Sequence, residues 1–126
     1  MHKAMKYFLF FLFSSLLGGG CKPTTPFTSV DAEAFARELS KTEVQLVDVR
    51  TPEEYAEGHI PGAVNMNVQD AAFDQQLATL DKTRPVALYC RSGRRSKLAA
   101  TRAAKVGYKV TELNGGILSW KGDLEQ

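Results

Sequence analysis

Reactive side chains of the soft, metal-binding kind are scarce in this 126-residue chain: two cysteines, Cys21 and Cys90, and two histidines, His2 and His59. So few cysteines cannot form a disulfide framework, and the set argues against a zinc centre built on Cys and His. Charge of one sign is also missing. Sixteen Lys and Arg stand against fourteen Asp and Glu, and Lys3 and Lys6 account for the whole difference, so the chain from residue 21 onward is neutral. That balance excludes the basic excess of a nucleic-acid partner and the acidic excess of a disordered tail. No apolar run reaches the ~20 residues that a helix needs to span a bilayer. What remains is globular, 44% hydrophobic and 24% charged, with room for one domain of roughly 100 residues and no second core.

Lys3 and Lys6 precede an apolar stretch over residues 7–17, and Gly18-Gly19-Gly20-Cys21 follows. A basic head, a short apolar body and small residues behind it describe an export signal. The Gly18–Cys21 segment resembles the lipobox of bacterial lipoproteins, which implies cleavage before Cys21 and a lipid on its sulfur. The predicted organisation is a signal peptide over 1–20, an extended tether over 21–27 carrying Pro23 and Pro26, a domain over 28–122 and a tail over 123–126. The domain is then lipid-anchored on the periplasmic side of a bacterial cell envelope. A soluble secreted protein and an uncleaved anchor are the alternatives, and a disulfide with Cys90 is the other role open to Cys21.

Beyond residue 27, short apolar runs with few polar residues alternate with segments of helical period, the pattern of an α/β domain with a parallel sheet. Ser29 is placed to cap a helix over 30–40 with Ala32, Phe35, Ala36 and Leu39 as its inner face. Strands are predicted over 44–48, 63–66, 86–90 and 108–113, and helices over 70–80, 96–106 and around Ile117 and Trp120. Thr51-Pro52-Glu53-Glu54 is a helix start, with Thr51 as N-cap, Pro52 at the first position and Glu54 closing a capping box; Gly58 ends that helix.

Cys90 falls where a buried strand meets a helix start, the place where open α/β sheets bind ligands. Between strand and helix lie Arg91, Ser92, Gly93, Arg94 and Arg95, with Ser96 opening the helix. Gly93 admits a backbone conformation in which successive N–H groups converge on one point. Those amides, the helix dipole and the arginines favour thiolate over thiol, which sets the Cys90 pKa below the ~8.5 of a free cysteine. Seven basic residues and no acid lie between Arg91 and Thr111. Arg91, Arg94 and Arg95 are assigned to an anionic substrate, while Lys97, Arg102, Lys105 and Lys109 are taken as solvated surface charge.

Four segments, Leu46-Val47-Asp48-Val49-Arg50 running into Thr51–Tyr55, Gly58–Asn65, Tyr89–Ser96 and Leu113–Trp120, resemble the single-domain rhodaneses, the thiosulfate sulfurtransferases, in family order. The resemblance implies a five-stranded parallel sheet flanked by helices on both faces. It implies that Cys90 cycles through a persulfide, taking sulfur from a small anionic donor such as thiosulfate and passing it to a thiol or cyanide acceptor by ping-pong kinetics, with no metal or organic cofactor. Ser92, Gly93 and Ser96 shape the cradle. Asp48 and Arg50 match the family's Asp-Val-Arg and either order the active-site loop or form a structural pair. His59 satisfies backbone groups in its turn or moves protons; Tyr89 and Trp120 are read as packing residues. Two other readings share the fold: a catalytically idle binding module, and a phosphatase or arsenate reductase, whose Cys-x5-Arg loop is one residue longer than the Cys90–Arg95 interval here.

Overall fold

The computed structural model describes residues 26–126; the signal segment, Cys21 and the first part of the tether lie outside the described residues. Five strands, β1 (Thr28–Val30), β2 (Gln45–Asp48), β3 (Val64–Asn65), β4 (Val86–Tyr89) and β5 (Val110–Leu113), make one sheet in the order β1-β5-β4-β2-β3. Every pairing is parallel. The helices are α1 (Ala32–Leu39), α2 (Pro52–Glu57), α3 (Phe73–Leu77) and α4 (Arg94–Lys105), with a 3-10 turn at Ile117–Ser119. Among the described residues no helix is long and apolar enough to cross a membrane.

The central strand β4 is buried on both faces and sorts its side chains by the two-residue strand period. Val86, Leu88 and Cys90 enter one core with Phe73, Leu77, Ala99, Ala100 and Ala103 from α3 and α4. Ala87 and Tyr89 enter the other, with Phe35 of α1, Ile60 and Leu113. Small residues line the inner face of α4, so this helix packs closely on the strand whose end it must serve.

Several predicted boundaries move. Ser29 belongs to β1, where its hydroxyl donates to Glu112 at 2.6 Å, and Asp31 caps α1 instead by accepting from the Ala34 amide at 2.9 Å. Both residues are good caps, and pairing of β1 with β5 decides between them. Ala36, assigned to the inner face of α1, is exposed. The helix predicted over 70–80 condenses to Phe73–Leu77, because Asp70 and Ala72 close turns at its start and no side chain caps it. The C-terminal helix is one 3-10 turn, and α4 begins two residues early, at Arg94.

Candidate active site

Three loops at the carboxyl ends of β2, β4 and β5 meet around Cys90. The loop after β4 is short and pinned. Gly93 adopts φ +106° as the N-cap of α4, and a Cβ there would stand 2.1 Å from the Asn114 carbonyl oxygen. Gly116, at φ +64°, meets the Arg91 carbonyl at 2.2 Å in the same sense. Main chain therefore packs directly on main chain, and only glycine permits it. The turn after β5 completes the floor: the Ile117 amide donates to the Cys90 carbonyl at 2.9 Å and the Leu118 amide to that of Arg91 at 3.1 Å. Asn114, Gly115 and Gly116 thus shape the cradle, a role that a reading of their sequence as a turn does not reveal.

The Cys90 side chain lies inside this frame, 1% exposed. Its Sγ accepts from the Gly93 amide at 3.0 Å and lies 3.3 Å from the Ser96 hydroxyl. Burial pushes the thiol up, but the Ser96 hydroxyl and the amides of Ser96, Gly93 and Ser92 outweigh it, and the net direction is down. Arg91, Ser92 and Arg94 are exposed on the same loop, and neither arginine has a side-chain partner among the described residues. Arg95 is held: its two terminal nitrogens grip Glu54 at 2.8 and 2.9 Å. That grip, reinforced by Thr51, overcomes partial burial and draws the Glu54 carboxyl down to about 2. The capping box of α2 is thereby tied to the first turn of α4.

Asp48 and Arg50 form a buried pair at the carboxyl end of β2. Asp48 accepts from the Arg50 amide at 2.9 Å and from its Nη2 at 2.6 Å, and Tyr89 donates its hydroxyl to the same carboxylate at 2.7 Å. Burial and that carboxylate push the Tyr89 phenol up. Arg50 also donates to the Gly58 carbonyl at 2.7 Å, and Tyr89 accepts from the Ile60 amide at 3.0 Å. The network makes Tyr89 more than a packing residue. It fixes the end of β4 against the 58–62 turn. His59 stacks on Tyr55 at 3.7 Å with its Nδ1 on the Tyr55 carbonyl at 2.9 Å, well occupied by backbone.

Two residues near the sulfur escape the sequence-based assignment. Glu112, fully buried on β5, accepts the Ser96 hydroxyl at 2.6 Å. Lys97, expected as solvated surface charge, stays 42% exposed and at the same time donates to Glu112, the Gly93 carbonyl and Asn114. The acid-free stretch from Arg91 to Thr111 stops one residue short of the carboxylate that Lys97 finds. Among the described residues no three His, Cys, Asp or Glu side chains converge to hold a metal ion.

The model of the rhodanese-like domain matches residues 31–123. Over 93 residues the chain is 40% identical to a sulfurtransferase of Allochromatium vinosum, covering 72% of this chain and 85% of that one. It is 35% identical over 71 residues to the thiosulfate sulfurtransferase PspE of Escherichia coli, covering 56% and 68%. Among solved structures, a rhodanese-like domain protein of Staphylococcus aureus matches with a TM-score of 0.70 at 28% identity, over 79% of this chain and 97% of that one.

Proposed function

This chain belongs to the family of rhodanese-like domains, and from that premise we propose that it transfers sulfane sulfur from thiosulfate, or a similar anionic donor, to a thiophilic acceptor through a Cys90 persulfide. The observation that carries this reading is the Cys90 sulfur in a cradle of amides at a helix start, on a loop that also carries the exposed Arg91 and Arg94. In the first half-reaction the Cys90 thiolate attacks the outer sulfur of thiosulfate. The S–S bond of the donor breaks, sulfite leaves with the electron pair, and the persulfide anion remains. In the second, cyanide or a thiolate attacks the terminal sulfur and the Cys90 thiolate is the leaving group. Each step displaces one sulfur nucleophile by another nucleophile, so charge is conserved and no oxidant or general base is required.

The cradle serves both states, because amides aimed at Sγ stabilise the thiolate before attack and the persulfide after it. Arg91 and Arg94 draw the dianionic donor toward the loop, whereas Arg95 positions the loop through Glu54. Access favours a slim donor. A sulfur this buried meets a single projecting sulfur atom end-on more readily than the phosphorus of an ester shielded by four oxygens, and the four-residue spacing between Cys90 and Arg95 agrees.

A thiosulfate-to-cyanide assay tests the reading. The parent forms thiocyanate, Cys90→Ser loses at least a thousandfold, and an aryl phosphate is untouched by both. Phosphate release would overturn the proposal in favour of a phosphatase, and silence in the parent would overturn it in favour of a binding module. We also propose export and lipid attachment through Cys21, motivated by the Gly18–Cys21 segment. Cys21→Ala then releases the protein from the membrane fraction of a bacterial host, and unchanged partitioning refutes the anchor.

A further inference from the structure

Behind the cradle, Glu112 has no side-chain exposure to solvent and three donors around it. Oε1 takes the Ser29 hydroxyl at 2.6 Å; Oε2 takes the Ser96 hydroxyl at 2.6 Å and the Lys97 ammonium at 3.3 Å. Such a set suits an acceptor-only carboxylate. The Ser96 oxygen in turn stands 3.3 Å from the Cys90 sulfur. A hydroxyl has one hydrogen, and here two acceptors claim it: the carboxylate at a short, charge-assisted distance and the sulfur at a long one. With Cys90 protonated there is no conflict, since S–H donates to Ser96 and O–H donates to Glu112. Once the sulfur is anionic, either Ser96 stays with Glu112 and leaves the sulfur to its amides, or it turns and leaves Glu112 to Ser29 and Lys97.

We propose that Glu112 is a positioning residue for Cys90: it competes with the sulfur for the single Ser96 hydroxyl hydrogen, and so keeps Cys90 a more basic, more strongly attacking nucleophile than the amides together with a Ser96 hydroxyl free to turn would leave it. The proposal rests on the reading of Cys90 as the attacking group. Lys97 limits the effect by partly neutralising Glu112 and, being 42% exposed, leaves the carboxylate incompletely screened. The other charges on the Cys90 loop are Arg95, committed to Glu54, and the exposed Arg91 and Arg94. A fully ionised but weak thiolate captures sulfur slowly, because nucleophilicity falls with basicity; a buried carboxylate one hydroxyl away counters this.

The test is the reaction of Cys90 with dithiodipyridine, a neutral disulfide, followed against pH in the full chain carrying Cys21→Ala so that Cys90 is the sole thiol. In Glu112→Gln the apparent pKa of Cys90 falls by about one unit and the limiting rate at high pH falls about threefold. In Lys97→Met the pKa rises. In a Ser96→Ala background the effect of Glu112→Gln shrinks to half or less. An unchanged or raised pKa in Glu112→Gln would overturn the proposal, as would a full shift surviving without Ser96. Should Glu112→Gln fail to fold, the half-exposed Lys97→Met decides, and an unmoved pKa there overturns it. Because the readout is disulfide exchange, a parent that forms no thiocyanate defeats the transferase reading while leaving these pKa differences to be read on their own.

Discussion

Gly93 carries two constraints at once, a left-handed φ of +106° and a carbonyl 2.1 Å from where a Cβ would be. Either alone is costly for an L-residue; together they leave Gly93→Ala no relaxed position. The loop then lifts from Asn114 and the Gly93 amide leaves the Cys90 sulfur. Gly93→Ala is therefore expected to destabilise the protein by about 2–4 kcal/mol and to raise the pKa of Cys90. Thermal unfolding together with the pH profile of disulfide exchange checks both, and parent-like values for the pair would show that the loop is not pinned there. Cys90 and Gly93 are legible in the sequence because loop chemistry is local. Glu112 and Asn114 are not, since they reach the site only through pairing of β5 with β4, and nothing in a lone Glu on a strand says that it faces a serine sixteen positions earlier.

Between elements, the link that matters runs from α2 to α4. Thr51 and Glu54 exchange capping bonds, the Glu54 amide donating to the Thr51 hydroxyl at 3.2 Å and the Thr51 amide to the Glu54 carboxylate at 3.0 Å. That box was readable from a Thr-Pro-Glu-Glu run, whereas its partner Arg95 was not. In sequence Arg95 looks like a third substrate arginine. Glu54 is drawn down to about 2 from an ordinary 4.5, so its contribution is fully present above pH 4.5 and is lost as pH falls toward 2. The pair is a quarter exposed, which discounts the effect to about 1–2 kcal/mol. Urea midpoints recorded from pH 6 to pH 2 should fall less steeply for Glu54→Gln than for the parent. Parallel curves would mean that the bridge contributes nothing to stability. Helix ends were less legible where backbone alone sets them: α4 starts on a glycine N-cap without a side-chain bond, and α3 starts on Ala72, which has none to offer.

For the whole molecule, parallel strand order is what lets residues far apart in sequence close one site, and the alternation of short apolar runs with helical segments makes that architecture readable before any contact is known. The far C-terminus shows how much the same pattern hides. Glu125 pairs its main chain with His59 in both directions, at 2.9 and 2.8 Å, its carboxylate takes the Gly62 amide at 3.2 Å, and Gln126 donates to the Glu57 carbonyl at 3.2 Å. These few polar residues, featureless in sequence, strap the 58–62 turn that bears on Arg50 and Tyr89. Removing residues 124–126 deletes about four hydrogen bonds worth roughly 1 kcal/mol each at most, and their exposure lowers the total to about 2 kcal/mol. The Cys90 loop is held separately, by Ile117, Leu118 and Asn114, so its exchange rate should stay within twofold of the parent while the urea midpoint drops. A loss of reactivity equal to the loss of stability would instead show that the turn and the loop move as one body. In that case the Asp48–Arg50–Tyr89 network, which joins them through β4, is the element that transmits the change.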